Sequence, residues 1–285
     1  MSDPSVPSRT RLERRGHGLW VHVQPIFLVP GAAMSVFGTA LATDISVSSG
    51  AIHAFAVCLA VYVAHLKDGY VDYYVRGEDE RNPLEPREIR LAIAVATILF
   101  GLCLGLLWQF GGPIAAVATA PLLVLGYFHA PQLDTHPLTV TVDYPLGICL
   151  ATVGGYATQT GTVSDTVLAV CLTLFLLLAA INIMLDRLDY DHDRRLAKRT
   201  LPVVLGPTRA QRIAWGLIGA CLVVLLVSSL FGPLPTVAAL AGAVPGAVTL
   251  ACLVRPLDPN RLVALFIGVT YVFATMLFIA IRISG

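Results

Sequence analysis

Charge is what this sequence has least of. Asp, Glu, Lys and Arg make up 13% of its 285 residues, where a soluble domain carries about a quarter. With a hydrophobic share of 56% and a mean hydropathy of +0.76, that scarcity excludes an ordinary soluble globule and points to a membrane protein. The net charge is only +1, so no basic excess marks a nucleic-acid partner. Cys58, Cys103, Cys149, Cys171, Cys221 and Cys252 all lie in apolar runs. Their spacing fits neither a zinc site nor a disulfide framework, and they read as small packing residues. The first 18 residues are polar, contain Arg9, Arg11, Arg14 and Arg15, and lack a small-residue cleavage signature. The apolar run that follows is longer than a signal-peptide core. It reads as a first membrane span behind a cytoplasmic tail (1–18), with 19–285 as one membrane domain.

A hydrocarbon core of about 30 Å needs about 20 apolar residues in a helix. Nine segments meet or approach that length, at roughly 20–43, 49–66, 90–109, 113–130, 138–159, 165–185, 213–231, 234–254 and 261–282. Gly111-Gly112-Pro113 separates the third from the fourth, and Gly232-Pro233 the seventh from the eighth. The prediction is an all-α integral membrane protein, nine transmembrane helices in a single bundle. With the N-terminus cytoplasmic, 18 of the 19 Lys and Arg residues fall on that side, leaving only Arg282, a strong positive-inside bias. Seven of the 18 acidic residues lie between Asp68 and Glu88 and four more between Asp186 and Asp193. Loops 2–3 and 6–7 thus become two Asp-rich loops on the cytoplasmic face.

In the first loop Asp68 and Asp72 are four apart and Asp79 follows seven later; in the second, Asp189 and Asp193 repeat the i,i+4 spacing beside Asp186. Residues at i and i+4 share a helix face, and like charges there are destabilising unless neutralised. Two such clusters at membrane-helix ends call for a cation. Magnesium takes hard oxygen ligands, one or two carboxylates at a time, together with substrate phosphates. With Lys198, Arg199 and Arg76 nearby, the clusters suit a metal-bridged diphosphate. The plainer alternative is a pair of solvated acidic loops. The stepped spacing and terminal glutamate of an EF-hand are absent.

The first loop reads HLKDGYVDYYVRGED from His65 to Asp79, and the second DYDHDRRLAKRTLPVVLG from Asp189 to Gly206. On these motifs the chain resembles the UbiA superfamily of intramembrane prenyltransferases, which have nine transmembrane helices and two aspartate-rich motifs. The resemblance covers nearly the whole chain. It is nearest the menaquinone-type branch, the 1,4-dihydroxy-2-naphthoate prenyltransferases, whose first motif has the form NxxNDYxDxxxGxD. Tyr70 and Asp72 match it, and Gly77…Asp79 matches with one extra residue, whereas His65 and Asp68 replace asparagines and Gly69 an aspartate. The second motif matches except for Ala197 in place of glycine. Gln24-Pro25, Tyr127 with His129–Pro131, and GYATQTG at 155–161 resemble the same branch.

The resemblance implies a Mg2+-dependent transfer of a prenyl group from an isoprenyl diphosphate to a lipophilic or aromatic acceptor, with a quinone precursor as the leading acceptor. Asp68, Asp72, Asp79, Asp186, Asp189 and Asp193 are the implied magnesium ligands, with Asp72 and Asp189 central to ionisation. Lys198, Arg199 and Arg76 are the diphosphate candidates. His65 and Tyr70 are candidate catalytic groups, though a histidine and a tyrosine at a helix end also suit the membrane interface. Tyr127, Asp143 and Gln24 are candidates for the acceptor side; Asp143 lies inside an apolar segment, where a carboxylate is a functional hypothesis by default. His53 reads as structural. Membrane lipid is an expected neighbour, and neither nucleic acid nor an obligate protein partner is implied. Competing readings are another acceptor (a glycerol-phosphate lipid or a carotenoid), a terpene cyclase, a family member that has lost activity, and a divalent-cation transporter. A transporter would line a path near mid-membrane with its carboxylates, whereas these sit at helix ends.

Overall fold

The computed structural model describes residues 11–78, 81–196 and 198–284. Its helices are α1 (Arg11–Val21), α2 (Pro25–Ala40), α3 (Val47–Val71), α4 (Pro86–Thr119), α5 (Pro121–Phe128), α6 (Pro137–Thr160), α7 (Asp165–Leu188), the short α8 (Tyr190–Arg195) and α9 (Leu201–Leu205), α10 (Pro207–Leu230), α11 (Ala243–Val254) and α12 (Pro259–Ser284). No strand occurs among the described residues. Six helices begin with proline. Pro25, Pro86, Pro121, Pro137, Pro207 and Pro259 each open a helix, where a missing N–H costs nothing and φ is already set. Ser46 and Ser164 cap α3 and α7, each accepting from a backbone N–H three residues on.

Seven helical stretches are long and apolar enough to cross a membrane, or eight when the bent pair Leu12–Val21 and Pro25–Ala40 counts as one span. The stretch Pro86–Leu133 passes as one of the seven, but it is broken at Gly112 (φ 82°, ψ 175°), a backbone region essentially open to glycine alone. Its two ends lie together. Tyr74 at the end of α3 donates to Leu84 O, and His129 pairs with Asp143 near the start of α6. Gly111 instead abuts Thr158 near the end of α6. The chain therefore runs from the acidic end of the bundle to the far end at Gly112 and back.

Two apolar cores result. One joins α3, α4, α5 and α6 around Val57, Val63, Phe100 and Leu122. The other joins α7, α10, α11 and α12 around Leu174, Ile218, Phe266 and Phe273. Helix α6 packs against both α2 and α7. Close approach there depends on Gly38 and Gly155, where a Cβ would strike the backbone of the neighbouring helix, as is common between membrane helices. Large apolar side chains such as Ile98, Leu102, Val223 and Leu250 are exposed along the outside, the reverse of a soluble protein and what a lipid solvent allows.

The amino-terminal region departs from expectation. Residues 11–18, read as tail, are the first turns of α1. It meets α2 at a 58° bend and is latched to the start of α4, because Arg14 donates to Pro83 O at 2.6 Å and both Arg14 and Arg15 pair with Glu88. Glu88 also accepts from the Glu85 N–H, so one carboxylate caps α4 and anchors α1.

Candidate active site

The acidic end is assembled from four segments. Helix α3 carries His65, Asp68 and Asp72 and does not fray. It continues as a π-helical turn, Asp72–Arg76, closed by Gly77 at φ 66°. Glu78 N donates to Asp72 O at 2.8 Å across that closure. The turn places Arg76 over three carboxylates. Its guanidinium forks onto both oxygens of Asp134 (2.6 and 2.8 Å), reaches Asp72 at 3.2 Å, and has Glu78 at 3.6 Å. A bidentate arginine of this kind fixes orientation as well as charge.

Asp134 comes from the second segment, the turn after α5. Ala130 leaves helical geometry there (φ −115°, ψ 137°), the extended region that a following proline favours. Asp134 N returns to His129 O at 3.0 Å. Within this turn His129 Nδ1 meets Asp143 Oδ2 of α6 at 2.5 Å, and Asp143 is buried. Helix α7 is tied to the same stretch of α6 by Asn182, which donates to Val140 O at 2.9 Å. One helical turn beyond Asn182 stands Asp186.

The second motif forms the fourth segment. Asp189 ends α7 and begins α8, Asp193 lies buried within α8, and Lys198 N closes the turn on Asp193 O at 3.0 Å. From there the Lys198 Nζ crosses to Glu78 Oε2 at 3.3 Å, joining the second motif to the first. Burial alone would weaken the Lys198 ammonium, but Glu78 and Asp72 outweigh it and raise its pKa above the ordinary lysine value. Burial likewise raises the Asp193 carboxyl above the usual carboxylate range. No Lys or Arg among the described residues pairs with Asp186, Asp189 or Asp193, and Asp186 Oδ2 is buried without a hydrogen-bond partner. A buried, partnerless carboxylate oxygen is costly, and together with neighbouring carboxylates it is the hard-oxygen donor set that Mg2+ selects. Among the described residues no three His, Cys, Asp or Glu side chains converge to hold a metal unaided.

The expected site residues divide accordingly. Asp68, Asp72, Arg76, Asp143, Asp186, Asp189, Asp193 and Lys198 gather at this end, and Arg199 is exposed beside them. His65 is buried, donates from Nδ1 to His22 O at 3.2 Å, and meets Phe27 edge-on. Tyr70 points elsewhere: it packs on Tyr74 and the Leu66–Leu84–Ile89 cluster, because residue 70 lies on the side of α3 away from Asp68 and Asp72. Tyr127 is largely exposed, with Lys67 Nζ 4.6 Å above its ring. Gln24 sits at the α1–α2 bend with φ 42° and caps nothing with its side chain. Asp79 lies outside the described residues. The changed motif position Gly69 is occupied in space by His22, since a Cβ on Gly69 would stand 2.6 Å from His22 Nε2.

Sequence reasoning passed over Glu78 and Asp134, and named His129 only within the His129–Pro131 resemblance and not as a site residue. Glu78 is hidden by motif spacing that singles out Asp79. Asp134 and His129 had a signal, being the polar members of a loop placed on the same face as both acidic clusters.

A helical membrane bundle with paired acidic loops bridged by basic side chains at one end is the architecture of an intramembrane transferase for anionic substrates. More particularly, the chain belongs to the UbiA prenyltransferase family, whose profile matches residues 35–280. No curated protein sequence matches it. The fold is similar to that of a digeranylgeranylglyceryl phosphate synthase (TM-score 0.76, 12% identity, 94% of this chain and 98% of that one). It is also similar to a UbiA homologue from Archaeoglobus fulgidus bound to GPP and Mg2+ (0.71, 18%, 94% and 99%). An apo UbiA homologue from Aeropyrum pernix K1 is a third such structure (0.63, 18%, 93% and 98%). At these identities the likeness is one of fold.

Proposed function

We propose that this protein transfers a prenyl group within the membrane, from an isoprenyl diphosphate to a lipophilic or aromatic acceptor, in a Mg2+-dependent reaction. The observation that carries the reading is the Lys198–Glu78 bridge between the two motifs, with the uncompensated Asp186 oxygen beside it. Asp68 and Asp72 on one side, and Asp186, Asp189 and Asp193 on the other, would hold magnesium, and Asp79 belongs to the same proposed set. Magnesium, when bound, supplies Lewis-acid charge to the diphosphate. Lys198 and Arg199 present fixed positive charge to the leaving diphosphate, and Arg76 holds Asp72 and Asp134 in place. Preorganised cations of this kind stabilise charge as it develops on the leaving group. The apolar helices around the site accommodate the isoprenoid tail and exclude water from the allylic cation. The branch resemblance favours a quinone precursor as acceptor.

The same reading takes the bent α1–α2 pair as one pass and Pro86–Leu133 as two, divided at Gly112, for nine in all. It places the N-terminus and both motif loops on the cytoplasmic face, supported by the distribution of 18 of 19 basic residues.

The test is to incubate purified protein with Mg2+ and labelled geranylgeranyl diphosphate, with and without dihydroxynaphthoate or a lipid extract. Mg2+-dependent release of diphosphate is expected. No release under any condition, with binding of the diphosphate unchanged in Asp72→Ala and Asp189→Ala, overturns the reading.

A further inference from the structure

Three histidines line the inner edge of the acidic end, and each commits its Nδ1 to a protein acceptor. His22 donates to Gly18 O at 2.8 Å, His65 to His22 O at 3.2 Å, and His129 to the Asp143 carboxylate. A backbone carbonyl can only accept, so Nδ1 of His22 and His65 carries the proton and Nε2 is left as the lone pair. The same assignment follows for His129 facing a carboxylate. Of the three, only His129 has an anionic partner among the described residues, and a carboxylate on Nδ1 both fixes the tautomer and stabilises the imidazolium that forms when Nε2 takes a proton. Asp143 is 7% exposed while the His129 side chain is 38% exposed. The orienting group is therefore buried in the bundle and the imidazole is partly exposed. The dyad is also anchored to the diphosphate end: His129 O accepts from Asp134 N, and Asp134 is held by the Arg76 fork that reaches Asp72. The charged neighbours of His129 from the surrounding elements are Asp68 and Asp134.

We infer that His129, oriented by Asp143, is the base that receives the acceptor's proton; this rests on the prenyl-transfer reading. As the allylic C–O bond breaks, its electron pair leaves with diphosphate. The acceptor's nucleophilic carbon or oxygen then bonds to the allylic carbon, and the proton displaced from that atom passes to His129 Nε2. The site thus has two parts: one ionises the donor, and the dyad completes capture. The assignment holds for an aromatic carbon or a hydroxyl nucleophile, since each loses one proton.

The experiment uses the full chain in detergent or nanodiscs, with labelled geranylgeranyl diphosphate, Mg2+, and either dihydroxynaphthoate or a monoprenylated glycerol phosphate as acceptor. His129→Gln and Asp143→Asn are expected to retain Mg2+-dependent binding of the diphosphate within about twofold. Their kcat for transfer should fall by about 100-fold, the usual scale of general-base loss. The KM for diphosphate should stay unchanged, and added imidazole should restore part of the activity of His129→Gly. Wild-type rates in both variants overturn the assignment. So does loss of diphosphate binding along with transfer, or a His129→Gly enzyme indifferent to imidazole. A wild-type enzyme that prenylates neither acceptor overturns the prenyl-transfer reading itself, and the dyad's role with it.

Discussion

The two acidic clusters look alike in the sequence and are treated differently by the fold. The first is braced: Arg76 and Lys198 pair with Asp72, Asp134 and Glu78. The second has no Lys or Arg ion pair among the described residues, and Asp186 keeps a buried oxygen without a partner. The first loop therefore draws on the protein's own cations for part of its order, while the second leaves a buried carboxylate oxygen that a further cation would satisfy. Pairing shows what holds the first cluster in place; the partnerless Asp186 oxygen shows where a further cation would be accommodated.

Substitutions should separate the two. The largest effect is expected for Asp193→Ala, which should weaken Mg2+-dependent binding of geranylgeranyl diphosphate by about 100-fold, since metal-to-phosphate bridging contributes several kcal/mol. Thermal unfolding of the metal-free protein should barely change; a large loss of stability there would place Asp193 with the structural cluster. Arg76→Met should do the reverse. Leaving Asp134 and Asp72 without their partner should cost about 2–3 kcal/mol of stability, read as a lower Tm with or without Mg2+. A smaller effect of opposite sign is expected for Asp186→Asn without metal. Removing a buried, unpaired charge should stabilise by about 1 kcal/mol, while the rise in Tm on adding Mg2+ and diphosphate should shrink. An unchanged ligand response would remove Asp186 from the metal set. Smallest is Tyr70→Phe, where transfer should stay within about twofold because the ring packs away from the carboxylates; a tenfold loss would restore Tyr70 as a reacting group.

Much of the bundle was legible beforehand because lipid imposes a long apolar run on every pass. The predicted segments 138–159 and 165–185 lie within α6 and α7. The Gly111-Gly112-Pro113 break falls at the point where the backbone turns back. What periodicity does not carry is the region outside the apolar runs. α1 is polar enough to read as tail, yet it is held down by Glu88 through contacts with no sequence period. The π-helical turn at Asp72–Arg76 shifts the register of everything after Asp72, so extrapolating an α-helical face to Asp79 skipped Glu78. The His129–Asp143 pair spans a turn built around Pro131, and no spacing rule joins residues across it.

The replacement at Gly69 has a further meaning. Counted column by column, the first motif has lost an acidic side chain. In three dimensions the space has been refilled by the imidazole of His22, from the bend that follows α1. Positions 22 and 69 are therefore coupled sterically: Gly69→Asp alone would collide with the imidazole, and only a paired exchange with a small residue at 22 would return a carboxylate to that place.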